Sequence, residues 1–215
     1  MSKIRTHISM SLDGCVAGPN QSHDNPLGEG GEKLHEWVVR LKTFKDLHGM
    51  ESGGDVDADD EVFAEYVHAQ GAVVMGRKMF SGGEGPWERD PNAGGWWGDD
   101  PPFGEPVFIL THHAREPVPH RNGTTFNFVT DGIESALAQA REAAGDKDVF
   151  IGGGASIINQ YLAAGLVDEI ELHVVPLLLG SGARLLEGVG PEIKLEQLRA
   201  VEAPGVTHLK YRVVR

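Results

Sequence analysis

Apolar and polar positions along the chain fall into short apolar runs and stretches with a step of three or four. KIRTHISMSLDG (3–14) reads as a strand that turns at Asp13-Gly14, and CVAG (15–18) as a second extended piece stopped by Pro19. From Glu32 the residues Leu34, Trp37, Val38, Leu41, Phe44 and Leu47 recur at helical steps, which predicts one amphipathic helix. Asp59 or Asp60 can cap a following helix that carries Val62, Phe63, Tyr66 and Val67. AVVM (72–75), PVFIL (106–110), TTFNFV (124–129), DVFI (148–151) and EIELHVV (169–175) read as strands. Between them, Ile133, Ala136, Leu137 and Ala140 mark a helix closed by Gly145, and ASIINQYLAAG a helix closed by Gly165. The C-terminal segment predicts a hairpin at Ala203-Pro204-Gly205, with Leu209, Tyr211 and Val213 alternating.

About eight strands interleaved with four helices predict an α/β fold, with a mostly parallel sheet flanked by helices and edged by the hairpin. No linker separates two cores, so residues 1–215 read as one domain. Loop insertions fall near 19–31, 49–60 and 81–105. The acidic, Gly-rich segment 49–60 reads as a mobile, solvated loop, since it lacks the acid spacing of a calcium loop.

Charge narrows the partners. The formal net charge is −13, and such a field repels nucleic-acid phosphates. An anionic cofactor would then need local cations and backbone N–H groups. No apolar stretch approaches the roughly 20 residues of a membrane span, and the N-terminus lacks a signal-peptide pattern. Cys15 is the single cysteine, so neither an internal disulfide nor a cysteine zinc cage is expected. These features predict a cytoplasmic protein with no nucleic-acid, membrane or metal partner.

Three strand ends carry anion-binding chemistry. In DVFIGGGASIINQYL a strand runs through Gly152, Gly153 and Gly154 into the helix opened by Ala155, Ser156 and Ile157. Bare backbone N–H groups and a helix N-terminus suit a pyrophosphate; the alternative is a tight turn that needs glycine for conformation alone. The spacing is not GxGxxG, which argues against a Rossmann dehydrogenase, and no Walker lysine follows. AVVMGRKMF delivers Gly76, Arg77 and Lys78 at the end of a buried strand, as phosphate partners or as solvated cations. PVFILTHHAR delivers Thr111, His112, His113 and Arg115, suited to an additional phosphate. Adjacent histidines in a strand face opposite ways, so a shared metal is not expected. The loop through Ser11 and Asp13-Gly14 is either a plain hairpin turn or a wall of the ligand cleft.

ISMSLDGCVAG, VVMGRKMF, FILTHHAR and IGGGASIINQYLAAGLVDEIELHVVPLLLGSG together resemble the dihydrofolate-reductase-like superfamily. The nearest branch is the reductase domain of bacterial riboflavin biosynthesis, usually the C-terminal half of a bifunctional deaminase-reductase. The resemblance implies a central eight-stranded mixed sheet and hydride transfer from NADPH to a small heterocycle or carbonyl compound. It implies that Gly76, Arg77, Lys78, Thr111, His112 and Arg115 hold the 2′-phosphate side of NADPH. Residues 152–157 would hold the pyrophosphate. Ala17 lies in the loop from Leu12 through Gly18, beside the nicotinamide. Ser11 and Asp13 are then substrate contacts, and Asp13, Glu32 and Glu36 are the candidate proton donors. Trp87, Trp96 and Trp97 would either cover the cleft as a lid or anchor their loop. A homodimer is also implied. Two features depart from the resemblance: the turn is plain GGG without the branch's acidic residue, and Glu32 and Glu36 are offset by several residues from the carboxylate that dihydrofolate reductase carries at its first long helix. No HxE…PCxxC deaminase signature is present, so the chain reads as the reductase module alone. A non-catalytic nucleotide- or flavin-binding module is the alternative.

Overall fold

The computed structural model describes residues 2–51 and 53–214. Its strands are β1 (Ile4–Ser11), β2 (Cys15–Ala17), β3 (Gln70–Gly76), β4 (Pro106–Leu110), β5 (Val118–Pro119), β6 (Thr125–Val129), β7 (Asp148–Gly153), β8 (Glu169–Val175), β9 (Ala183–Arg184), β10 (Lys194–Ala203) and β11 (Val206–Val214). The helices are α1 (Glu36–Val39), α2 (Lys42–Leu47), α3 (Ala58–Ala69), α4 (Arg77–Ser81), α5 (Ile133–Ala144) and α6 (Ala155–Ala163). Nine strands form one sheet in the order β10-β11-β8-β1-β7-β3-β4-β6-β5, and β2 pairs with β9 beside it. From β8 to β6 every pairing is parallel; β5, β11 and β10 run antiparallel to their neighbours. Against the eight strands expected, the ninth is the two-residue β5, too short to leave an apolar run in the sequence.

The parallel register decides where a ligand can sit. Met75 pairs with Gly153 and Gly76 with Leu110. The glycine turn, the Arg77-Lys78 pair and Thr111 therefore leave neighbouring strands at one carboxyl edge, where open α/β sheets bind ligands.

The two faces of the sheet differ in chemistry. Under α5 and α6, Ile4, Val74, Ile151, Ile158, Tyr161 and Ile170 form a dry core. The face under α3 is polar at its centre, because alternate residues of a strand point to opposite sides. β1 sends Arg5, His7 and Ser9 there, while Ile4, Ile8 and Met10 go to the dry side. Burying charge requires pairing. Arg5 lies 3.0 Å from Asp148, Arg199 lies 2.7 Å from both Glu65 and Glu171, and Lys210 lies 2.5 Å from Glu65.

Three sequence expectations are corrected. The single helix over 32–47 is broken into a 3-10 turn (Gly31–His35), α1 and α2. Leu41 takes an extended conformation, ψ 147°, and bridges Asp55 in parallel. Backbone hydrogen bonds from Lys42 to Asp55 and from Asp55 to Arg40 fasten that crossing. Periodicity records which side faces the core and is blind to such a break. The helix cap is Asp57, not Asp59 or Asp60; its carboxylate accepts from the N–H groups of both. Asp59 and Asp60 are buried. Lastly, the end of the 49–60 loop is not a free spacer, because Arg40 holds Asp55, Asp57 and Asp59 together.

Candidate functional site

A cleft of about 1780 Å³ runs along the carboxyl edge and under α3. Its walls include Ala17, Gly76, Arg77, Lys78, Thr111 and His112, together with Gly152, Gly154, Ala155, Ser156 and Ile157. The sequence-selected groups on three separate strands thus meet in one space.

Gly76 at the end of β3 and Gly153 and Gly154 in the turn differ in what a side chain would meet. Gly76 must be glycine because a Cβ there would stand 2.7 Å from Ile157 Cγ1, so the two strand ends meet closely. Gly153 has φ +122°, and a Cβ would point inward at Met79 and Ile8. It supports the turn from behind and is not a cleft wall. A Cβ on Gly154 would meet no atom within 4 Å. Gly154 leads into the nine-residue α6, with no side chain capping its first N–H groups.

Arg77 is only 8% exposed. Its Nε donates to Ser81 Oγ at 2.9 Å, one terminal nitrogen binds Asp90, and the guanidinium lies 3.1 Å from the centre of the Trp87 ring. The other terminal nitrogen, Nη1, is buried and has no partner among the described residues. Lys78 is 74% exposed and paired with Glu84. Thr111 Oγ1 accepts from the His113 N–H at 3.1 Å, and His112 stands exposed at the mouth. Arg115 is turned away: it binds the Ala93 carbonyl, sits over Trp87 and Phe128, and lines no part of the cleft.

The expected substrate and proton-donor groups are placed elsewhere. Ser11 Oγ donates to Asp13 at 2.6 Å, and the N–H groups of Leu179 and Gly180 donate to the same carboxylate at 3.2 and 2.7 Å. Those donors pull the Asp13 pKa down to about 2. Asp13 therefore clasps its loop to residues 179–180, and neither it nor Ser11 lines the cleft. Glu32 and Glu36 are exposed and also lie outside it. The strand-and-helix pattern could not reveal which side of a broken helix meets the cleft. Among the tryptophans, Trp87 anchors its loop by donating Nε1 to the His113 carbonyl at 2.8 Å and by packing on Phe128. Trp97 packs on Phe103, and it borders the cleft together with Trp96.

The sequence reading missed a row of histidines. His7 on β1, His173 on β8 and His208 on β11 share the polar face, and His208 reaches Asp59 on α3. Trp37 roofs His173 and His208 and donates Nε1 to Ser9 Oγ at 3.0 Å. His7, His35 and His173 line the cleft. Desolvation pulls His7 down to about 3 and His173 well below its ordinary value, and it also lowers His35. The signal was present: polar residues hold the alternate positions of β1, β8 and β11, which a strand buried on both faces should not show.

The cleft fits a phosphorylated cofactor on two observations. A buried guanidinium nitrogen lacks an acceptor, and the open backbone at Gly154 with the N-terminus of α6 presents donors.

Comparison with known proteins agrees with the fold. The RibD C-terminal domain profile matches residues 2–209. The uncharacterised protein YyaP of Bacillus subtilis strain 168 is 26% identical over 195 residues, covering 83% of this chain and 96% of its own. A solved Shewanella sp. PV-4 protein, described as one of riboflavin biosynthesis, superposes with TM-score 0.62 at 21% identity over 99% of both chains. Dihydrofolate reductase from Enterococcus faecalis, solved with NADP(H) and RAB-propyl, superposes with TM-score 0.53 at 13% identity over 98% of this chain and 96% of its own. At these identities the structures show a shared dihydrofolate-reductase-like fold.

Proposed function

The chain belongs to the RibD C-terminal domain family, and from that premise we propose that it is an NADPH-dependent reductase of a small heterocyclic or carbonyl compound. The observation that carries this reading is that the open Gly154 backbone and Arg77, whose buried Nη1 has no partner among the described residues, line one cleft. NADPH, when bound, supplies the hydride, and the protein supplies orientation and charge. The N–H groups at the start of α6 hold the pyrophosphate. Arg77 holds a phosphate through Nη1, with Asp90 and Trp87 fixing its plane. Thr111 and His112, which follow the neighbouring strand β4, line the same cleft. Trp96 and Trp97 exclude water from one wall. The same reading makes the protein cytoplasmic and homodimeric. In support, the outer edge strand β10 leaves Leu195 45% exposed and Leu198 exposed beside it.

One observation favours a second reading, a nucleotide-binding module without turnover. The three carboxylates expected to deliver a proton, Asp13, Glu32 and Glu36, all lie outside the cleft. NADPH oxidation followed with pterins, aminopyrimidines and dicarbonyls separates the two. Turnover on any of them supports the reductase; tight NADPH binding with none supports the module; no NADPH binding refutes both.

A further inference from the structure

Asp59, His208, His173 and His7 form one line of hydrogen bonds from α3 to the cleft. His208 Nε2 lies 2.8 Å from Asp59 Oδ1, His208 Nδ1 lies 2.7 Å from His173 Nδ1, and His173 Nε2 lies 3.2 Å from His7 Nδ1. The other Asp59 oxygen accepts from Arg40. A carboxylate set between an arginine and an imidazole offers acceptors only, so His208 Nε2 carries the hydrogen. Each imidazole of the row, taken in its neutral form, carries one N–H. His208 Nδ1 is then an acceptor, and the hydrogen of the second bond belongs to His173 Nδ1. By the same step, the hydrogen of the third bond belongs to His7 Nδ1. His7 Nε2 is left with a bare lone pair.

We propose that this line, polarised from Asp59, fixes His7 as a hydrogen-bond acceptor on the inner wall of the cleft, for an N–H or O–H donor on a neutral planar ring. Asp59, His208 and His173 are positioning residues, and His7 is the group that touches the ligand.

The surroundings favour that ligand class. The Tyr66 ring centre lies 3.5 Å from that of His7, and Phe63 and Trp37 line the same end. Tyr66 spends its hydroxyl hydrogen on Gln70 at 2.6 Å, and Arg199 is held by Glu65 and Glu171. Tyr66 therefore has no hydrogen left for His7, and no hydrogen bond joins Arg199 to His7 among the described residues, although Arg199 Nε is unpartnered. Three carboxylates border the cleft, and none belongs to the elements around His7: Glu84 holds Lys78, Glu105 holds Lys147, and Glu187 follows β9. Glu171, beside His7 on β8, and Glu65 on α3 are held by Arg199 and Lys210, so a cationic ring would find no free counter-charge there. His35 Nδ1, buried without a partner among the described residues, is a second polar group at that end. Desolvation and the neighbouring His35 keep His7 neutral.

The ligand class rests on the reductase reading; the order of the tautomers does not. The first test is ¹⁵N NMR of the imidazoles in the unmodified protein, without cofactor, at pH 7. The expected result is a protonated Nδ1 and a pyridine-like Nε2 on His7; a protonated Nε2 overturns the proposal. Asp59→Asn lets an amide N–H face His208 and should shift His7 toward the Nε2–H form. The second test is binding of lumazine, a planar ring with N–H donors, against 1,3-dimethyllumazine, which lacks them. Lumazine should bind at least tenfold tighter, perturb His7 Nε2, and lose at least tenfold in His7→Phe. Equal affinity for the two rings, or no binding of lumazine, overturns the ligand class even where Asp59→Asn fails to fold. Absence of NADPH binding would sink the reductase reading and leave the tautomer result standing.

Discussion

Gly153 and Gly154 are chain neighbours with opposite demands, and single substitutions should separate them. Gly153→Val forces a β-branched residue to φ +122°, a strain of about 1–3 kcal/mol, so a lower urea midpoint is expected. Gly154→Val has ordinary φ and open space. It should fold normally and lose NADPH affinity; a folded variant with unchanged affinity would refute the pyrophosphate placement. At Arg77 two effects combine. Arg77→Ala should weaken NADPH more than NADH if Nη1 meets the additional phosphate, and equal losses would contradict that role. It should also destabilise the fold by about 3 kcal/mol, since the Asp90 carboxylate it faces is buried. Lys78→Ala should change stability by less than about 1 kcal/mol, because its ion pair is solvated. The histidines predict a pH effect. His7, His35 and His173 have lowered pKa values in the folded state, so below about pH 6.5 the unfolded chain binds the additional protons. Stability is full above pH 6.5 and falls as pH drops toward 3, by up to about 1.4 kcal/mol per pH unit for each such group. The groups facing His7 in this window are His173 and Glu171 on β8, His35 before α1, and Tyr66 on α3. A flat urea midpoint from pH 7 to pH 5 would exclude the buried neutral state.

At the scale of elements, the longer strands were legible, whereas the two-residue β5 and β9 and the helical region before β3 were not. Continuous apolar runs mark β3, β4 and β7 because both their faces are covered. The 31–57 region takes its shape from Arg40, whose guanidinium gathers Asp55, Asp57 and Asp59 across up to 19 residues of chain. No local pattern encodes that convergence. Asp57 joins two tasks, capping α3 and pairing with Arg40. Asp57→Ala should therefore cost more than the ~1 kcal/mol of a cap alone, whereas Asp55→Ala, solvated and without a cap to hold, should cost less. Paired urea titrations check the order, and a smaller loss at Asp57 would remove the capping argument.

For the whole molecule, NADPH should act as a stabilising ligand. At a hundredfold excess over its dissociation constant it should add about 2.7 kcal/mol to unfolding, visible as a rise in Tm that NADH at equal concentration does not match. Light scattering tests self-association, and Leu195→Lys on the β10 edge should dissociate a dimer built there. A wild-type monomer at micromolar concentration would remove that part of the reading. The carboxyl-edge part of the cleft was legible because glycines, cations and hydroxyls follow directly on strand ends, so that a short string carries both position and chemistry. The polar end under α3 was not, because His7, His173, His208 and Asp59 lie up to 201 positions apart in sequence (7 to 208) and meet only through strand order.

By itself the sequence determined the class of fold, the longer strands, the hairpin and the three strand ends that carry glycines, cations and hydroxyls, since each depends on residues within one turn or one strand. The tertiary structure alone decided which of those groups face the cleft, why Asp13 is a clasp, and how an acid on α3 governs a histidine on β1. Packing and parallel register set those relations, and they join residues that no local period connects.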